Sequence, residues 1–240
     1  MIPSTTRPAT PLVTGIVDVH HSDPDGDYPR AMREGGLVAL LHKLTQGKDW
    51  TDKEFAAAMA RAKTAGLLRG AYHFGSNSSS GAQQAEFFVA SLRRLVPEPD
   101  DVLCALDFEH NPDPRGGDMT VENARAFVVR VSELTGRWPL FYTGASRLHG
   151  LRLAAGDVLG NCPLWLAQYG EPPRTVPPCW HPAPDGGPGY SLWQYTDYAD
   201  GPRDQAKYPR AMPGFGKVDR SVFRGTVDEL RTWWRTAGEP

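Results

Sequence analysis

The stretch ALDFEH, residues 105–110, closes an apolar run that begins at Val102 and sets two carboxylates one residue apart at its end. A continuous apolar run of this length reads as a buried strand. Side chains alternate along a strand, so Asp107 and Glu109 share one face, separated by about 6.6 Å of rise, while Leu106 and Phe108 share the other. The apolar pair is then expected to pack on a helical layer, and both acids to point the opposite way.

Working outward, seven more short β-rich runs are found: residues 15–20, 37–44, 68–75, 138–144, 163–170, 191–197 and 217–223, with the first run itself read as 101–109. Helical patterns lie between them. TDKEFAAAMARAKTAGLL carries a Thr51/Glu54 capping pattern and ends near Gly66, and GAQQAEFFVASLRRL and TVENARAFVVRVSELTG repeat apolar residues at helical spacing. Alternation of this kind implies repeated β-α units and a parallel sheet. Eight strands with crossovers predict an α/β fold, a closed (β/α)8-like barrel of one domain over residues 14–237, with its site at the carboxyl ends of the strands. A doubly wound open sheet is the alternative, but the chain lacks the GxGxxG and GxxxxGK motifs that would cradle a phosphate. Residues 1–13 read as a loosely held segment, and the Pro- and Gly-rich 171–189 as a long surface loop. The duplicated YPRAM at 28–32 and 208–212 is too short to signal a repeat.

Composition excludes several classes. Twenty-six basic against 28 acidic side chains leave a net charge of −2, so no cationic field holds a nucleic acid. No stretch approaches the roughly 18 apolar residues of a membrane span, and the first residues lack the apolar core of a secretory signal. Cys104, Cys162 and Cys179 are an odd number without metal-ligand spacing. Cys162 and Cys179 pair across a loop or, as is commoner, remain buried thiols. No metal or cofactor is expected.

Asp18 falls near the end of the first strand and Asp219 at the start of the last, and in a closed barrel those strands are neighbours. Four acids are thus expected around one cavity, where crowding raises the pKa of at least one and keeps a proton available near neutral pH. One carboxylic acid to protonate a leaving oxygen and another to stabilise an oxocarbenium-like centre is the requirement of glycoside hydrolysis. A single strand-end acid more often caps a helix or pairs with a surface Arg. The neighbours shift that balance: AYHFG, FYTG, LWLAQYG and LWQYTD each end a strand with an aromatic ring and a hydrogen-bonding group, the combination that covers a sugar face and reaches its hydroxyls. Phe141, Trp193 and Phe223 read as core. Tyr72, Tyr142, Trp165 and Tyr195 read equally as core or as sugar subsite.

Taken in order, GIVDVHHSD, TQGKDWTDKEFAAAMARAKTAGLLRGAYHF, ALDFEH, PLFYTG, LWLAQYG, LWQYTD and VDRSVFRG resemble the lysozymes of glycoside hydrolase family 25, the Chalaropsis-type muramidases. The resemblance runs from about Gly15 to Phe223. It implies a flattened, irregular barrel with an acidic groove that cleaves the β-1,4 bond between N-acetylmuramic acid and N-acetylglucosamine in peptidoglycan, without cofactor. By position it makes Glu109 the general acid and Asp107 its partner, acting on the substrate's 2-acetamido group or on the developing charge, with Asp18 and Asp219 on the floor. Tyr72, His73, Phe74, Tyr142, Trp165, Gln168, Gln194 and Tyr195 would bind substrate, with His20 at the edge. His20 stands where the family writes Ser, Gln46 where it writes Glu and Ser221 where it writes Asn. The rival readings are a glycan-binding barrel without activity and a glycosidase for another N-acetylated glycan such as chitin. The chitinase pattern DxxDxDxE fails, because aligning its last acid on Glu109 leaves Ala105 and Val102 at two required Asp positions. The expected protein is a monomer working on the cell wall, reached by lysis, a holin or a specialised secretion machine, or by a signal missing from the sequence as given.

Overall fold

The computed structural model describes residues 10–23, 25–114, 116–180 and 189–240. In chain order the elements are β1 (Leu12–Val19), α1 (Tyr28–Gly35), β2 (Ala39–Gln46), β3 (Trp50–Thr51), α2 (Phe55–Thr64), β4 (Leu68–Phe74), α3 (Gly81–Leu95), β5 (Val102–Asp107), α4 (Val121–Thr135), β6 (Leu140–Gly144), α5 (Ala145–Gly150), β7 (Leu164–Ala167), β8 (Leu192–Thr196), β9 (Asp219–Arg224) and α6 (Val227–Thr236). Strands pair in the order β1-β2-β4-β5-β6-β7-β8-β9, and β9 pairs with β1 to close an eight-stranded barrel, leaving β3 as a short hairpin partner of β2. The expected barrel is present. β1 begins inside the segment expected to be loose, since Leu12 and Val13 already pair with Arg224 and Phe223. Residues 1–9 of that segment, and 181–188 of the expected surface loop, lie outside the described residues.

One strand departs from the parallel expectation. From β1 through β8 every adjacent pair in the barrel is parallel, but β9 runs antiparallel to both β8 and β1. Residues 197–218 contain no helix to carry the chain back across the barrel, so β9 starts at the mouth and runs down. The reversal matters for the site, because it sets the first residue of β9 at the end where the other strands finish.

Side-chain parity sorts the core. Leu41, Leu103, Ala105, Leu140, Trp165 and Leu192 fill the barrel, while Leu40, Leu106, Phe141 and Leu166 face the helical layer with Phe88, Phe127 and Val128. Leu106 and Phe108 therefore pack as expected. The expected loop is not purely a surface feature either: Trp180 is buried, its ring stacked 5.6 Å from Phe141 and its Nε1 donating to the Cys162 carbonyl at 2.8 Å. Cys162 and Cys179 are both buried free thiols.

Helix boundaries follow local chemistry. Ser80 and Gln83 form a capping box on α3, Thr120 caps α4, and Gly136 ends α4 in the left-handed conformation at φ 76°. The expected Thr51/Glu54 cap does not form: Thr51 lies in β3, and Asp52 Oδ1 instead accepts from the Glu54 amide at 2.9 Å. YPRAM opens α1 at 28–32 but sits in irregular chain at 208–212. α6 carries a second capping box, Thr226/Glu229, and plugs the lower end of the barrel. Leu230 and Trp234 enter the interior, Trp234 Nε1 donates to the Arg69 carbonyl at 2.9 Å, and the Arg137 guanidinium donates to the Trp234 and Ala237 carbonyls. Truncation of Trp234 to Ala is expected to cost about 3–5 kcal/mol, read as a lower urea midpoint.

Candidate active site

The β5 strand ends at Asp107, two residues before the expected end, because the chain turns out of the sheet at Phe108. Glu109 therefore sits just beyond the strand, at the mouth. Asp107 is buried, whereas Glu109 keeps partial access to solvent. Across the barrel Asp18 of β1 and Asp219 of β9 are direct register partners, a pairing that only the antiparallel run of β9 allows. These four acids line one hollow of about 240 Å3 together with His20, His21, Lys43, Tyr72, Phe74, Tyr142 and Trp165. The convergence of the four acids expected from sequence is thus a feature of the fold.

The electrostatics follow from burial. Desolvation is the main cause that raises the carboxyl pKa of Asp18, Asp107 and Glu109 above the ordinary range, with neighbouring acids adding to the rise at Asp18 and Asp107. Asp219 is pushed up to about 7, first by burial and then by Asp23, Asp197 and Glu109. The Lys43 ammonium acts in the opposite direction on Asp107 and Glu109, and Arg147 and His110 also lower Glu109. Groups coupled in this way titrate as a set, and the set retains protons into the neutral range.

Gln194 ties the floor together. Its Nε2 donates to Asp18 Oδ2 at 2.9 Å and to Asp219 Oδ2 at 3.4 Å, while its Oε1 accepts from the hydroxyls of Tyr142 at 2.9 Å and Tyr169 at 3.1 Å. All four hydrogen-bonding positions of this buried amide are used, so it orients the acids from behind. One buried oxygen of Asp18 and one of Asp107, both Oδ1, have no hydrogen-bond partner among the described residues. Such an oxygen is costly to bury unless a partner arrives, and both belong to residues that line the hollow. Ser221, where the family pattern has Asn, accepts from Trp165 Nε1 at 2.9 Å and so fixes that ring in the wall.

Three residues expected at the substrate lie elsewhere. His73 alternates with Tyr72 and Phe74 and so faces the helices. It is fully buried, hydrogen-bonded to Thr45 at 2.8 Å and Gln84 at 3.0 Å, stacked on Phe127, and lowered to about 4 chiefly by burial. Tyr195 alternates with Gln194 and packs outside the barrel on Trp193 and Tyr208, its hydroxyl donating to the Pro209 carbonyl at 2.7 Å. Gln168 follows the inward-facing Ala167 and donates to the Glu171 carbonyl at 2.6 Å, away from the hollow. Of the rings expected to be core, Phe141 and Trp193 are buried and Phe223 is half-buried against Trp233. His21, Lys43 and Tyr169 are the additions. Inward parity with Leu41 on β2 was the readable signal for Lys43; Tyr169 lies beyond its strand, where no parity rule applies.

The raised Asp219 carboxyl has a measurable consequence. In the folded protein it binds its proton more tightly than in the unfolded chain, so its contribution to stability falls as pH rises from about 4 towards 7. Asp219→Asn removes that penalty. Its melting temperature is expected to exceed the parent's at pH 8 by roughly 4 °C or more, and to match it at pH 4. An equal difference at both pH values would show that the gain is not electrostatic.

A closed β/α barrel whose mouth gathers proton-holding carboxyls between aromatic walls is the working frame of a glycoside hydrolase. The chain belongs to glycosyl hydrolases family 25, whose model matches residues 17–202. It is 28% identical over 220 residues to lysozyme M1 of Streptomyces globisporus, covering 89% of this chain and 69% of that protein. With the N,O-diacetylmuramidase of Chalaropsis sp it shares 29% identity over 195 residues, 77% of this chain and 89% of that one. The crystal structure of the bacterial lysozyme from Streptomyces coelicolor superposes with a TM-score of 0.68 at 25% identity, covering 96% of this chain and 99% of that chain.

Proposed function

We infer that this protein is a muramidase, hydrolysing the β-1,4 bond between N-acetylmuramic acid and N-acetylglucosamine in peptidoglycan and so acting on the cell wall. Its family and its muramidase relatives support the reaction. The observation that carries the reading to particular atoms is the meeting of Asp107 and Glu109 with the paired Asp18 and Asp219 in one hollow.

In this reading Glu109, the acid at the mouth, holds its proton because burial disfavours the anion, and gives that proton to the glycosidic oxygen as the bond breaks. Asp107 lies deeper and polarises the 2-acetamido group of the muramic acid, whose carbonyl oxygen attacks the anomeric carbon. Water then opens the resulting ring with Glu109 acting as base. Asp18 and Asp219, held by Gln194, set the proton affinity of the group and support the sugar from below. Tyr72, Phe74, Tyr142 and Trp165 form the walls. The enzyme works as a monomer: the only large hydrophobic side chains exposed among the described residues are Met32, Tyr169 and Val227.

The test is the chemistry of the new ends. Digested peptidoglycan reduced with borohydride is expected to yield reduced muramic acid, identified by mass spectrometry. Reduced glucosamine ends would place the cut at the other bond and sink the reading. The cation in the hollow gives a second check. Lys43→Met removes a charge that lowers both Asp107 and Glu109, so both limbs of the pH–activity profile are expected to move to higher pH. A profile that stays in place would separate Lys43 from the acids.

A further inference from the structure

Beside the catalytic hollow lies a larger one, of about 450 Å3, that the bond-breaking chemistry does not use. The two share His21 and Lys43, which with Trp50 form a rib between them. Lys43 Nζ stands 5.1 Å from the Trp50 ring and 4.3 Å from the Phe74 ring, and donates to Gln46 Oε1 at 2.7 Å. The His21 ring also lies against Trp50, 5.3 Å between centroids. Buried Asp52 fixes that ring, its Oδ2 meeting the His21 amide at 2.9 Å and Nδ1 at 3.1 Å. The rib is therefore held from within the protein, and groups on it are presented to both hollows.

The second hollow carries charge of both signs. Lys43 and Lys48 bring ammonium groups, Asp49 and Asp113 carboxylates, and Ser76 and Ser78 a hydroxyl pair 2.7 Å apart. A glycan backbone of neutral N-acetylated sugars offers such a lining little to pair with. A peptide branch, with carboxylates and the amine of a diamino acid, matches it in both signs and in need for hydrogen bonds. The branch also leaves the muramic acid from its lactyl group, beside the ring that the catalytic hollow would hold.

We propose that this second hollow is the subsite for the peptide branch of muramic acid, with Lys48 and Lys43 taking its carboxylates and Asp49 its ammonium group. The proposal rests on the muramidase reading and deepens it: the enzyme selects peptide-bearing strands over bare glycan.

The experiment compares kcat/KM on soluble peptidoglycan strands bearing free stem peptides with kcat/KM on the same strands after an amidase has stripped them. The parent enzyme is expected to favour the peptide-bearing strands about tenfold. Lys48→Glu, an exposed change of charge, and Ser78→Trp, which fills the hollow from its rim, are each expected to reduce that ratio to near one. A parent ratio of one, or variants that lose equally on both substrates and keep the ratio, would overturn the subsite. Muramic ends released equally well from both substrates would leave the muramidase reading standing while the subsite falls. Release from neither would bring down both.

Discussion

Glu109→Gln will fold as the parent does and release muramic ends roughly 10²–10⁴-fold more slowly. The amide keeps the size of the side chain but has no proton to give, and general acid catalysis is worth about 10²–10⁴-fold. Burial makes the variant easier to accommodate, since a neutral amide removes a charge that the site disfavours. Its melting temperature should therefore equal or exceed the parent's at neutral pH, and that separates lost chemistry from lost structure. A variant that still turns over within tenfold of the parent would move the proton donor to another of the acids.

Asp107→Asn carries the second large effect, a loss of roughly 10²–10³-fold in kcat with little change in KM. Asp107 is buried at the end of β5, where burial raises its carboxyl pKa and the neighbouring Lys43 ammonium opposes that rise in favour of the anion, and one of its oxygens is unpartnered among the described residues. A carboxylate there can orient and polarise the acetamido group as it attacks; an amide cannot supply the charge. If the two act as one unit, their losses will not add. Strands N-deacetylated at muramic acid should be cut slowly by the parent, and Asp107→Asn should slow them little further. Full additivity would mean that Asp107 stabilises the sugar cation directly, without the acetamido group.

The fold and site were legible to different depths, for physical reasons. Period-two alternation around ALDFEH placed Leu106, Phe108 and Asp107 on their faces, because burial on both sides of β5 leaves no other register. The same rule already separated His73 from Tyr72 and Tyr195 from Gln194; assigning all of them to the substrate set parity aside. The direction of β9 was not legible. Nothing local in VDRSVF distinguishes up from down, and the decision lies in the helix-free connection before it. α6 is not among the helices read from the sequence, although its Thr226/Glu229 box is a local signal for one, and its place as a plug depends on contacts with Arg69 and Arg137, far away in sequence. The second hollow escaped for a similar reason. Trp50 and Ser78 are brought together only when β2 and β4 pair.

The downward run of β9 has a practical corollary. Because the last strand leaves the mouth and hands over to α6 at the opposite pole, the described residues both begin and end on the side away from the groove. Leu12 starts there, and Gly238 is tied there by its carbonyl to the Trp138 amide. Anchoring the molecule to a bead or grafting another module by its carboxyl end would leave the cleft facing outward, open to an insoluble polymer.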